Sequence, residues 1–394
     1  MRTASLRQRP QKVRARSVLQ NLTVLAITGL VCLLLGEVGS RIYLKLTSGG
    51  GSEPVLSETI GEYDPRLGVR LLPNVAAEFS GPEFQTHFRT NGQRLREEED
   101  HAYLEPPGIK RVLLCGDSFT FGHGVNDSQR YGELLENLLP GAEIINTGVW
   151  GTGTDQQYLL YLDEGRKYQA DLVILAYYVD NITRNGASMR FISGGRIAHK
   201  PRYVLRDGKL VLSNVPVPRP GESTVAEEEE RERWNEVAGQ QGAVPLPFKS
   251  FLREHSTFYK LLHARFSTML HALLGAHPEP FPQYAPEREE WKVTCALFSA
   301  FRDSVVANGS DFLLVIVPAR DYVLQPEMAD TPHRMVKEFC QKEHIEVLDL
   351  LPAFRAVEPR HRADLYYRLD AHWTAAGHEL AAETIARYLR DHGW

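Results

Sequence analysis

The chain has 394 residues, 43% hydrophobic and 24% charged. That is enough for one large domain or two modest ones with a proper core, and it excludes a fibrous or wholly disordered protein. A formal net charge of -5, with basic residues dense only at the extreme N-terminus, leaves no electrostatic footprint for nucleic acid as a partner.

In chain order, residues 1–17 form a basic tail carrying Arg2, Arg7, Arg9, Lys12, Arg14 and Arg16. Residues 18–45 follow, and their central stretch, 22–36, has no charged residue. With Val18 and Leu19 the apolar run reaches about 19 residues, roughly 28 Å as a helix, close to the hydrocarbon thickness of a bilayer. It reads as a single-pass signal anchor, and the positive tail predicts a cytoplasmic N-terminus with the rest of the chain outside. A cleaved signal peptide is the rival, disfavoured by Glu37 and by the length of the run. Residues 46–52, with the sequence TSGGGS at 47–52, form a flexible linker. Residues 53–110 are an N-terminal extension of short extended pieces and turns.

From residue 111 apolar runs alternate with amphipathic segments. RVLLCG at 111–116 predicts a buried strand, and residues 128–139 a helix capped by Asp127 or Ser128. AEIINTG is a second strand, followed by a helix opened by Thr154, and DLVILAYY at 171–178 is a third strand apolar enough to be covered on both faces. Later come a helix at about 287–308, the strand DFLLVIVP and a helix opened by Thr331 and Pro332. The strand EVLDL and a terminal helix complete the order. Five such strands joined by helices imply an α/β fold with a doubly wound parallel sheet. An insertion at 186–286 interrupts it, with a β-hairpin turning at Asp207-Gly208, a charged run at 226–234 and an amphipathic helix at 248–274. His255, His263 and His271 recur eight apart on that helix, which is not the i, i+4 spacing of two metal ligands. Cys32, Cys115, Cys295 and Cys340 show no CxxC pair or metal spacing and read as free thiols. No metal or other cofactor is expected.

In such sheets ligands sit beyond the C-terminal ends of the strands. Polar, chemistry-bearing residues stand there three times: Gly116-Asp117-Ser118, then NTGVWGTGT at 146–154, then VDNITRN at 179–185. A fourth site, LDAHWTAAGH at 369–378, precedes the last helix. A serine nucleophile needs a base, a carboxylate to orient the base, and donors for an oxyanion. Ser118, His372 and Asp370 fill the first three roles. The backbone N–H groups of Ser118 and Gly151, with the side-chain amide of Asn181, are the expected oxyanion hole. His123, Trp150, Arg184 and Asn185 are candidate substrate contacts; an exposed loop position is the plain alternative for His123, and capping or packing for the other three. Asp117 reads as a loop brace. Arg320 and Asp321, after the fourth strand, either reach the same rim or pair with each other.

These four blocks, GDSFTFG, NTGVWG, YYVDN and DAHWTAAGH, resemble those of the SGNH or GDSL hydrolases, over residues 111–178 and 287–392. The resemblance implies a flavodoxin-like sheet of strand order 2-1-3-4-5 and ester hydrolysis without a metal, with acyl transfer in some branches. Two departures stand out. The third block of the family ends Asn-Asp, whereas this chain has Asp180-Asn181, and a single residue, Ala371, separates Asp370 from His372 where two are common. Related D-x-H-W segments occur in polysaccharide-acetylating members. The expected protein is therefore a serine esterase of the bacterial inner membrane or cell membrane, with its domain periplasmic or extracellular, acting on O-acyl, first O-acetyl, groups of glycans. The alternatives are an O-acyltransferase to polysaccharide hydroxyls and a non-catalytic, membrane-tethered glycan-binding or assembly module.

Overall fold

The computed structural model describes residues 28, 32, 34–41, 60–81, 83–104, 107–192, 196–219 and 282–394. The basic tail, most of the expected membrane span, the linker, the charged run and the histidine-bearing helix at 248–274 lie outside the described residues. Among the described residues no helix is long and apolar enough to cross a membrane. Fold and site both belong to the larger of two units, Ser52–Trp234 with Glu279–Trp394.

Four short strands come first: β1 Gly61–Asp64, β2 Gly68–Leu71, β3 Ala76–Ser80 and β4 Gln85–Arg89. They pair as two antiparallel hairpins, β1 with β2 and β3 with β4. The five-stranded core then follows in β5 (Lys110–Gly116), β6 (Ala142–Asn146), β7 (Leu172–Tyr178), β12 (Asp311–Val317) and β13 (Glu346–Asp349). Its pairings are all parallel and its order is β13-β12-β7-β5-β6. Counted along the chain, this is the expected 2-1-3-4-5. Crossover helices cover both faces, so the strands need no polar side: every residue of β5 after Lys110 and of β7 before Tyr178 is buried.

The helices are α1 (Ser118–Phe121), α2 (Tyr131–Leu138), α3 (Thr154–Asp163), α4 (Asn181–Asn185), α5 (Glu289–Ala307), α6 (Arg320–Leu324), α7 (Thr331–Lys342), α8 (Leu351–Ala356) and α9 (Ala375–Asp391). Helix α9 packs on α2, and α5 packs on α3 and α4. The described start of the insertion folds as two more hairpins, β8 (Met189–Ile192) with β9 (Arg196–His199), and β10 (Arg202–Arg206) with β11 (Lys209–Ser213). The second of these is the hairpin foreseen at Asp207-Gly208. Lys200, between the pairs, is buried against buried Asp155 of α3 and donates to the carbonyls of Ala187 and Pro201. A charge removed from water in this way requires such a partner, so the ion pair pins this part of the insertion to the core.

Candidate active site

Ser118, separated from the end of β5 by Asp117 alone, opens α1. Asp117, fully buried, caps that turn by accepting from the Phe119 N–H at 3.0 Å. Burial raises the Asp117 pKa, and the Arg184 guanidinium, 3.1 Å from Oδ2, opposes the rise. Asp117 therefore braces the turn that carries Ser118 and ties it to α4.

The Oγ of Ser118 lies 2.7 Å from Nε2 of His372. Across the ring, Nδ1 of His372 is hydrogen-bonded to Oδ1 of Asp370, and the same oxygen accepts from the His372 backbone N–H at 3.3 Å. A carboxylate on Nδ1 places the proton there and leaves Nε2 as the acceptor for the serine proton. Burial raises the Asp370 pKa, but the hydrogen bonds from His123 and His372 outweigh it and hold the carboxyl well below the usual carboxylate range. With one intervening residue, the Asp-to-His turn closes only because Ala371 takes a left-handed φ of 68°. For a residue with a Cβ this is strained backbone, here locked by the Ala371 N–H donating to Tyr367 and the Tyr367 N–H donating to His372.

Asn181 is fully buried at the start of α4. Its Oδ1 accepts from Arg184 at 2.9 Å, while its Nδ2 has no partner among the described residues. A buried amide nitrogen without an acceptor is costly and calls for an explanation. Asp180 instead accepts within its own turn, from the Thr183 hydroxyl at 3.3 Å, and burial raises its pKa. Gly151 stands in the loop after β6 with a left-handed φ of 66°.

His123 belongs to the cluster as well. Its Nε2 is 3.4 Å from Oδ2 of Asp370, and its ring lies 4.4 Å from that of His372. The exposed-loop alternative does not hold, since the side chain is only 13% exposed. His123, Asp370 and His372 bring imidazole and carboxylate ligand atoms within 4.8 Å of one another, a set able to hold a metal ion. A cation there would compete with the hydrogen bond from His372 to Asp370 and with the 3.4 Å contact between Asp370 and His123.

Two of the candidate contacts, Asn185 and Trp150, take the capping or packing alternative. Asn185 is fully buried and its amide is spent: Oδ1 accepts from the Thr154 N–H at 2.8 Å and Nδ2 donates to the Thr294 hydroxyl at 3.0 Å. It joins α4 to α3 and α5. Trp150 packs with Ile60, Leu71, Phe88, Phe121 and Val149 in a small apolar cluster, its ring 5.4 Å from Phe121. Arg184 serves the site from behind, through Asp117 and Asn181.

Other residues shape the site without having been singled out in the sequence. Glu83, at the tip of the β3–β4 hairpin, accepts from the backbone N–H groups of Arg368 and Leu369 just before Asp370. Phe84 meets the His123 ring edge-on at 5.3 Å and the Tyr367 ring at a tilt at 5.1 Å. Arg320 donates to the carbonyls of Tyr367 and Arg368 at 3.2 and 2.6 Å while standing 3.8 Å from Asp321. The loop carrying Asp370 is thus held from two sides.

Residues 280–393 match the family described as ALGX, an SGNH hydrolase-like domain, acetyltransferase AlgX. A curated relative, "Probable alginate O-acetylase AlgJ" of Pseudomonas syringae pv. tomato, is 28% identical over 115 residues, 27% of this chain. The match spans 29% of that relative's length. Among solved structures the chain is similar to a catalytic mutant of an acetylxylan esterase from Geobacillus stearothermophilus, at 14% identity and a TM-score of 0.37 over 74% of this chain and 97% of that one. It is also similar to a lipase/acylhydrolase from Enterococcus faecalis, at 15% identity and a TM-score of 0.33 over 72% and 97% of the two chains. The match to the SGNH hydrolase-like domain family is confined to residues 280–393, which include Asp370 and His372 but not Ser118.

Proposed function

We propose that this protein is a serine acyl-transfer enzyme that takes an acetyl group onto Ser118 and passes it to a hydroxyl of a polysaccharide. The observation that carries the reading is the hydrogen-bonded chain from Ser118 Oγ through His372 to ionised Asp370. In the first step His372 Nε2 takes the serine proton as Oγ attacks the acyl carbonyl of a donor ester. The tetrahedral oxyanion is met by the N–H groups of Ser118 and Gly151 and by Nδ2 of Asn181, a role that fits an amide nitrogen with no partner among the described residues. Collapse expels the donor alcohol, which receives the proton from His372. In the second step the acceptor hydroxyl gives its proton to His372 and attacks acyl-Ser118, and Oγ leaves with the proton returned.

Hydrolysis, the first expectation from the sequence, is the same chemistry with water as acceptor. Transfer to a sugar is preferred because the matched family is described as an acetyltransferase and the relative is named an O-acetylase. Residues 18–45 as an anchor would hold the domain outside the cytoplasm, beside envelope glycans.

The test is the full chain with p-nitrophenyl acetate as donor, with and without deacetylated alginate, following both p-nitrophenol release and acetyl incorporated into polymer. Acetylated polymer that disappears in Ser118→Ala supports transfer; p-nitrophenol release alone, unchanged by polymer, makes the enzyme an esterase. Turnover that survives Ser118→Ala sinks both.

A further inference from the structure

We propose that His123 is a positioning residue for the acyl-transfer site, fixing the Asp370 carboxylate from the side opposite His372 so that one carboxylate serves two imidazoles. The inference rests on the acyl-enzyme reading above and extends it to a residue beyond the serine, base and carboxylate.

Each carboxylate oxygen has its own ring. Oδ1 is bonded to His372 and Oδ2 lies 3.4 Å from His123 Nε2. An ionised carboxylate only accepts, so His123 is the donor there and its proton sits on Nε2. Burial lowers the His123 pKa against the raising effect of Asp370, keeping the ring neutral. The charged groups that face it are Asp370 and His372 on the catalytic loop and Arg96 beneath. A neutral donor suits the task, because a second cation 4.4 Å from the His372 ring would oppose the imidazolium formed during acylation.

The placement of His123 is imposed by the protein around it. Its neighbours Gly122 and Gly124 have φ of 85° and 86°, a region open to glycine at no steric cost. A side chain at Gly124 would also meet Tyr367 Cε2 at 2.7 Å. Buried Arg96 donates to the carbonyls of Phe121, Gly122 and Val125, and the Tyr367 hydroxyl donates to Gly124 O at 2.7 Å. Phe79 and Phe84 close on the ring at 5.3 Å each. So many constraints on one loop tip, with the ring delivered to the free oxygen of Asp370, are unnecessary for a packing residue. They set the ring against the one Asp370 oxygen that His372 does not use.

The test compares His123→Phe, which keeps an aromatic ring on Phe79 and Phe84 but has no donor, with His123→Gln, which keeps one; His123→Leu is a second donorless variant. The readout is the rate of Ser118 labelling by a fluorophosphonate across pH ~5 to ~9, which needs no knowledge of donor or acceptor. Loss of a hydrogen bond to a charged group should slow labelling about ten- to hundredfold in the Phe and Leu variants, with Gln restored to within about threefold of the unaltered chain. In the donorless variants the imidazolium loses a fixed carboxylate partner, so the acid limb of the profile moves to lower pH. Donorless variants that label like the unaltered chain, or that slow down with an unmoved acid limb, overturn the proposal. Failure of Ser118 to label in the unaltered chain overturns the acyl-enzyme reading instead.

Discussion

Nη1 of Arg184 lies 2.9 Å from Oδ1 of Asn181, and that contact decides which way the Asn181 amide faces. A guanidinium only donates, so the oxygen must turn to Arg184 and the nitrogen away from it. Arg184 is itself held by Asp117, the residue before Ser118. Asn181→Ala should lower kcat/KM for an activated ester by about 10²-fold or more with the fold intact, the scale for one oxyanion donor. Arg184→Leu should show a smaller loss in the same direction, since the amide keeps its place and loses its orientation. Asp180→Asn, whose carboxylate is engaged with Thr183, should stay within about threefold. A large loss at Asp180 with Asn181→Ala near normal would exchange their roles.

Asp370→Asn should cost more, on the order of 10³-fold or beyond in kcat, because an amide cannot enforce the Nδ1–H tautomer of His372. The hydrogen bonds that hold the Asp370 carboxyl low keep it ionised at every pH where the enzyme works. Protonation of Asp370 should therefore add no step to the acid limb of the rate profile above pH ~4, and a step in that range that Asp370→Asn abolishes would contradict the geometry.

Sequence carried the core and the triad for a physical reason: strands covered on both faces are apolar runs, and Ser118, Asp370 and His372 sit at strand or helix ends where turn chemistry is local. Long-range pairing is what it hid. His123 and Asp370 are 247 positions apart, and nothing in GHGV announces a carboxylate. Arg96 stands in RLREEED, part of the extension expected only as extended pieces and turns, yet its guanidinium is buried against three carbonyls. The β3–β4 hairpin was legible only as extended pieces, because Ala76–Ser80 has an exposed-to-intermediate alternation with no strong apolar face. Asn185 stayed open between contact and capping because a polar residue past a strand end looks the same whether it faces a cleft or joins three helices.

Ala371 offers a test of backbone strain. At φ 68° a residue with a Cβ is penalised by roughly 1 kcal/mol and a β-branched one by more, whereas glycine is not. Ala371→Gly should therefore keep activity within a few-fold and leave the unfolding free energy unchanged or raised by up to about 1 kcal/mol. Ala371→Val should unseat Asp370 from His372, cutting acylation by about 10²-fold or more while the far-UV spectrum stays native. Parallel kinetics and denaturant melts of the two variants check this. Equal behaviour of Gly and Val would mean the turn relaxes freely.

His378 predicts an acid-sensitive fold. It is buried beneath the active-site loop, accepting from the Tyr131 N–H at 3.3 Å and standing edge-on to Trp373. Burial, then the charges of Arg96 and Arg130, push its pKa down to about 3. In the unfolded chain a histidine titrates near ~6.5. Between those two values the unfolded state binds a proton that the native state excludes, so stability falls as pH is lowered through that window and is unaffected above it. The slope from this one group approaches ~1.4 kcal/mol per pH unit at its steepest. His378→Phe should lower stability at pH ~7, where Tyr131 loses its acceptor, yet flatten the decline between pH ~6.5 and ~4 relative to the unaltered chain. Because Asp370 destabilises the fold in the same direction on acidification, the informative quantity is the difference between the two chains, measured as denaturant unfolding free energy at each pH. Parallel curves would show that His378 takes up its proton as readily folded as unfolded.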